Sequence, residues 1–217
     1  GNILRKMHSL NKIKQKPAYP VAKYLEGSFA PIFDEQAVEM SNMTVIGEVP
    51  FDLNGIYVRN GPNQRHEPVS EYHRYDGDGM LHALEFHQGQ VTYRNRWIRT
   101  SSFCEEENVD RGIYHGMLGD GRNLHPQMPV KDTSNTDVVL HAGKILTMWY
   151  LSGEVYQVDP KSLETLANFD FNGQRCSKVS AHGKTDENTN EFVFFDYNRE
   201  APYMHCGVVN SKGDMTN

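Results

Sequence analysis

The chain has 217 residues, 38% of them hydrophobic and 23% charged, with a formal net charge of −6; this profile fits a globular protein long enough to bury a core and excludes a disordered one. No apolar run approaches the roughly 18 residues that a membrane-spanning helix needs, and the acidic balance argues against tracking phosphate backbones, so nucleic acid is not an expected partner. Cys104, Cys176 and Cys206 are odd in number and widely spaced, which fits a reducing, cytoplasmic setting better than a disulfide or zinc framework.

Arg5, Lys6, Lys12, Lys14 and Lys16 make the N-terminus basic, without the apolar stretch and cleavage site of a secretory signal. A solvated leader is the simple reading, and peripheral contact with an anionic membrane surface is the other. Residues 24–35 mix Phe29, Ile32 and Phe33 with Gly27 and Pro31 and read as a lead-in, so residues 1–40 are set apart from 41–217. From about residue 43 the pattern becomes short apolar runs between Gly, Asn and Asp, and helical period is hard to find. Val45 and Ile46, then Ile56 to Val58, flank the turn Asp52-Leu53-Asn54-Gly55. Leu81 to Phe86 and Val91 to Ile98 join through His87-Gln88-Gly89-Gln90, with glycine where a hairpin tip needs positive φ. The device recurs as Val138 to Leu140, His141-Ala142-Gly143-Lys144 and Ile145 to Tyr150, followed by Val155 to Val158 and an Asp159-Pro160 turn. Lys178 to Ser180, Glu191 to Tyr197 and Met204 to Val209 form a further meander. Short strands at about 8–12-residue spacing predict an all-β sandwich, barrel or propeller, and repeated units of roughly 40–45 residues favour the propeller. The start at Gly1 and the stop at Asn217, just past a turn, make a fragment the expected state of the chain.

Ten histidines offer metal ligands. His8 and His66 lie in polar sequence, and His87 and His141 open turns, so these four are expected at the surface. His82 shares a strand with Leu84 and Phe86 and reads as a satisfied core residue. His115, His125 and His205 have no carboxylate or second histidine at helical ligand spacing. Asp76-Gly77-Asp78-Gly79 is not a calcium loop, because His87 stands where an EF-hand requires Glu; it reads as a tight turn. Asn60-Gly61-Pro62-Asn63 lacks the Lys-Ser/Thr of a phosphate loop, and no G-x-S-x-G elbow is present. His182, in Val179-Ser180-Ala181-His182-Gly183-Lys184, ends an expected strand between small residues that leave room for an ion. A lone histidine is still not a site, and the residues by themselves go no further than a β-rich protein.

Several segments in order resemble the carotenoid oxygenase family: Asn54 to Asn63, Tyr75 to His82, Tyr93 to Thr100, Asn135-Thr136 ahead of His141 to Lys144, Tyr156 to Pro160, Leu163 to Leu166, and Ser180 to Asp186. The resemblance implies a seven-bladed β-propeller in the full protein, of which residues 41–217 would be about half. It also implies an iron(II) ion on the propeller axis, held by four histidines from different blades and braced by glutamates. His182 matches the first of the four; the other three would come from the remainder of the chain, so these 217 residues alone are expected to be inactive. Neutral imidazoles leave iron(II) redox-active with open positions for O2. The implied reaction is therefore cleavage of a conjugated double bond of an apolar polyene, a carotenoid or apocarotenoid, into two carbonyl products. Cleavage of a stilbenoid or other phenylpropanoid, and a truncated non-catalytic paralogue, are the alternatives.

Two departures from the family pattern matter. Gly183 stands where many members have proline, which is expected to loosen the strand end. Tyr150 stands where a bracing glutamate often follows the strand, leaving Glu154 or a hydroxyl to brace instead. Trp149 occupies the place of a lysine that contacts phenolic oxygen in lignostilbene-cleaving members, which tilts the expected substrate towards a polyene against an aromatic wall. Tyr114 is the second expected substrate-wall residue, and it reads equally well as loop packing.

Overall fold

A computed structural model describes residues 23–119, 131–174, 178–198 and 201–216. The basic leader, His8, His125 and Cys176 lie outside the described residues. Eleven strands form three antiparallel sheets among the described residues. The first has the order β1 (Ala37–Glu39), β4 (Gln90–Trp97), β3 (Asp78–His87), β2 (Gly55–Asn63). The second runs β5 (Asp137–His141), β6 (Lys144–Met148), β7 (Tyr156–Val158), β8 (Thr165–Asn168), and the third β9 (Lys184–Thr185), β10 (Phe192–Tyr197), β11 (Met204–Val209). No described helix is long and apolar enough to cross a membrane.

Local chemistry explains the hairpins. Gln88 and Gly89 join β3 to β4 with φ of 48° and 75°, and Ala142 and Gly143 join β5 to β6 with 48° and 71°. Two consecutive positive φ values match the right-handed twist of the strands they connect. Burial then stacks the sheets. Leu81 and Ala83 of β3 pack against Ile145, Tyr156, Val158 and Leu163 of the second sheet and its β7–β8 turn. Leu146, Met148 and Val155 point the other way, onto Phe192, Phe194 and Val209 of the third and onto Val179 and Ala181 ahead of it. Strand β6 is therefore covered on both faces, which is why Ile145 to Trp149 is a nearly continuous apolar run rather than an alternating one. Each fully buried side chain of this kind contributes about 1.5–3 kcal/mol.

From β2, β5 and β9, each at one edge of its sheet, the following strands step away in chain order, and β1 closes the far edge of the first sheet. The side chain of Asn60 on β2 donates to the carbonyls of Ser134 and Asp137 at 2.8 and 3.0 Å, and the Asp137 carboxylate accepts from the backbone of His182, just before β9. The three leading strands thus lie side by side, as at the hub of a propeller, and the stacked sheets are its consecutive blades; among the described residues no sheet closes. The lead-in supplies the outermost strand of the first blade, with Ala37 opposite Arg94 and Glu39 opposite Thr92.

Three local features differ from the expectation. Ser101–Val109 is an α-helix, α1, whose N-terminus is capped by Thr100 Oγ1 accepting from Phe103 N–H at 3.0 Å. Only Ser102, Phe103 and Glu106 of this helix are buried, so it carries little apolar period to read. Val45 and Ile46 are irregular rather than strand, with Ile46 96% exposed. Val179 and Ser180 make single bridges to Gly153 and Trp149 instead of a ladder.

Candidate metal and substrate site

His182 is exposed at the leading edge of the third blade, and its backbone is fixed from three directions. Ser180 N–H donates to Phe195 O of β10 at 2.8 Å, Ala181 N–H to Trp149 O at 2.9 Å, and His182 N–H to Asp137 Oδ2 at 2.7 Å. Three successive amides are thus held by β10, by the residue after β6 and by the start of β5. His182 has φ of 74°, a left-handed conformation that costs a non-glycine residue about 1–2 kcal/mol. None of the described residues hydrogen-bonds its imidazole ring. The ring is therefore available as a donor, and this fits a metal ligand. The described residues contain no group of three His, Cys, Asp or Glu close enough to hold an ion.

Gly183 sits in a tightly packed place at this strand end. It is buried, and a Cβ at this position would meet the Phe192 ring at 2.6 Å. Glycine here is a packing requirement imposed by the ring.

Trp149 and Tyr114 come together on one cavity of about 30 Å³, shared with Tyr72, Tyr150, His115 and Thr133; His182 does not line it. Space of that size admits about one or two waters and no polyene. Its wall is polar: Trp149 Nε1, Tyr150 OH, Thr133 Oγ1 and both ring nitrogens of His115 are buried without a hydrogen-bond partner. Burial pushes the Tyr150 phenol up to about 12, so it is a neutral hydroxyl at physiological pH and supplies no carboxylate charge. Tyr114 OH donates to the Glu105 carboxylate, and burial first, then that carboxylate, raise its pKa. Tyr197 OH donates to Tyr150 O, tying β10 to the same corner.

Lys131 and Glu106, which also line the cavity, belong to an ionic cluster that local sequence does not reveal. Lys131, 7% exposed, contacts Asp78 and stands 2.5 Å from Glu106 Oε2. Glu106 also accepts from the N–H groups of Ile113 and Tyr114. Burial opposes the charge on Lys131, but the two carboxylates outweigh it and raise its pKa, while burial raises that of Asp78. The Asp76 to Gly79 segment, read as a tight turn, is thus a bend leading into β3, with Asp78 at the centre of a buried ion pair and Asp76 accepting from His73 and Met117 N–H. Asp132, also buried, accepts from Ser134 and Glu154 N–H, and burial raises its pKa to about 6.

Two histidines expected at the surface are not there. His66 is half-buried, 2.8 Å from Glu107, and His141 is 2% exposed beneath the Phe192 ring. His82 is half-buried and satisfied by Tyr93 OH at 2.8 Å, and His87 is exposed. His205 has a carboxylate partner after all, Asp196 at 2.8 Å, directly opposite it across the β10–β11 ladder.

The family model described as RPE65, retinal pigment epithelial membrane protein, matches residues 29–217. The chain belongs to this carotenoid oxygenase family. It is 32% identical over 211 residues to the carotenoid 9,10(9′,10′)-cleavage dioxygenase 1 of Pisum sativum, covering 88% of this chain and 39% of that one. Among solved structures, the Pseudomonas brassicacearum lignostilbene dioxygenase aligns with a TM-score of 0.80 at 22% identity, over 92% of this chain and 42% of that one. A cobalt-substituted Synechocystis ACO aligns at 0.72 and 23%, over 86% and 42%. The chain thus spans about 40% of the length of the family members it matches, and the structural likenesses carry the fold, a partial propeller.

Proposed function

We propose that the whole protein is a non-haem iron(II) dioxygenase that cleaves a conjugated double bond of a carotenoid or apocarotenoid with O2, giving two carbonyl products. The observation that carries this reading is His182 itself. In a chain of this family, it is an exposed imidazole with an unengaged ring, anchored through three consecutive amides at the hub edge of a blade. His182 would supply one neutral nitrogen donor, and the remaining donors would come from outside these 217 residues. Iron(II) in such a set supplies the electrons that O2 chemistry requires. The chain's own residues hold and shape. Asp137, Trp149 and Phe195 fix the ligand's backbone, and the rings of Trp149 and Tyr114, which enclose a space too small for a polyene, would meet only the end of an apolar substrate lying outside it.

A phenolic stilbenoid is the second reading, and one observation favours it. Trp149 Nε1 and Tyr150 OH are unpaired on one polar cavity with room for about one or two waters, through which they would reach a phenolic oxygen at its mouth without the charge that a lysine brings. Incubating the whole protein with iron(II), O2 and either an apocarotenal or a hydroxystilbene separates the two. Cleavage of the polyene alone supports the leading reading, cleavage of the stilbene alone replaces it, and cleavage of neither points to a non-catalytic member.

A further inference from the structure

We propose that Asp137 is a positioning residue for the metal ligand His182. This rests on the reading of His182 as a ligand. Strand β9 begins at Lys184, so the N–H of His182 has no ladder partner. It is the Asp137 carboxylate that accepts it, at 2.7 Å. Both carboxylate oxygens are engaged, because Oδ1 accepts from Val138 N–H at 2.9 Å, which fixes the rotamer that presents Oδ2. The backbone of Asp137 is held in turn, its carbonyl accepting from Asn60 Nδ2 at 3.0 Å. A relay therefore runs across the three leading strands, from Asn60 on β2 through Asp137 on β5 to His182 before β9.

The bond acts at the one place where it sets the direction of the imidazole. At φ of 74° the Cα–Cβ vector of His182 is determined by a backbone conformation that a non-glycine residue leaves unless something holds it. Ser180 and Ala181 are anchored independently to Phe195 and Trp149, so loss of the Asp137 contact releases His182 without detaching the segment. A bond from a carboxylate to a backbone N–H is charge-assisted and among the stronger ones available. Asp137 does not reach the ion; it acts through the ligand's backbone.

The test uses the whole protein stripped of metal and titrated with Co(II), reading affinity and the visible d–d spectrum, with melting curves recorded for every variant. Asp137→Ala is expected to weaken Co(II) binding about 10–100-fold, the usual range for losing a group that orients a ligand, and to shift the spectrum. Asp137→Asn keeps one acceptor oxygen but sets an NH2 donor against the N–H of either Val138 or His182, and is expected to bind between wild type and the alanine variant. Asp137→Glu keeps the charge but moves the acceptor by one methylene, and is expected to weaken binding as alanine does; it also serves if the alanine variant does not fold. Wild-type affinity and spectrum in Asp137→Ala or Asp137→Glu would overturn the proposal. His182→Ala is the control that separates the two ideas. If it binds Co(II) as wild type does, the ligand reading has failed, and if it loses binding while Asp137→Ala does not, only the positioning role has.

Discussion

Placing a methyl group on Gly183 tests whether the backbone beside His182 is as tightly packed as the structure shows. A Cβ there would lie 2.6 and 2.7 Å from two carbons of the Phe192 ring and 3.0 Å from Val193 O, against 3.4–4 Å for ordinary contact. Phe192 is fully buried, with its ring centroid 5.7 Å from His141 and 6.1 Å from Phe194. It has no room to retreat by the roughly 1 Å that a normal contact would need. Forcing a group into such a site costs about 1–3 kcal/mol, a large share of the ~5–15 kcal/mol that typically separates folded from unfolded protein. Urea unfolding of the whole protein should therefore show Gly183→Ala destabilised by that amount, and the same change in a Phe192→Leu background should cost much less, because the clashing ring edge is gone. The coupling between the two positions should exceed about 1 kcal/mol, as expected for residues in direct contact. A Gly183→Ala variant within about 0.5 kcal/mol of wild type, or one whose cost is unchanged by Phe192→Leu, would refute the packing argument.

Replacing Lys131 by methionine should destabilise by about 3–5 kcal/mol at neutral pH, because Asp78 and Glu106 are left buried without their cation. The deficit should shrink as the pH falls and the carboxylates protonate, and a loss below about 1 kcal/mol at pH 7 would contradict the cluster's role. Asp132 has a folded-state pKa raised from 3.8 to about 6 by burial. The folded state therefore binds more protons than the unfolded one between those values, and stability falls as pH rises through that window by up to about 3 kcal/mol. Asp132→Asn removes this component at the expense of one of the two amide bonds that the carboxylate accepts. From pH 4 to pH 6.5 the stability difference should move by up to about 3 kcal/mol in favour of the variant, and parallel profiles would rule the assignment out.

What the sequence discloses and what it hides follow from how local each interaction is. The β3–β4 and β5–β6 hairpins are legible because Gly89 and Gly143 sit where the turn needs positive φ, and β6 because both of its faces are apolar. Helix α1 is hidden since its buried residues include only one large apolar side chain, Phe103, although Thr100 ahead of Ser-Ser-Phe is a capping signal available in the sequence. The burial of His141 depends on a ring from another blade, and the pairing of His205 with Asp196 depends on strand register. Asp78, Glu106 and Lys131 meet only after folding. At the candidate site, resemblance singles out His182, but neither resemblance nor spacing indicates that Asp137 would hold its amide, because that contact joins the first strand of one blade to the approach of the next.

The central claim is that His182 is an iron ligand in the whole protein. Iron content measured after reconstitution with iron(II) and removal of free metal should be close to one ion per chain in wild type. In a His182→Ala variant that keeps the wild-type melting curve it should fall to a small fraction of that. Full iron occupancy with unchanged affinity in the variant would contradict the account.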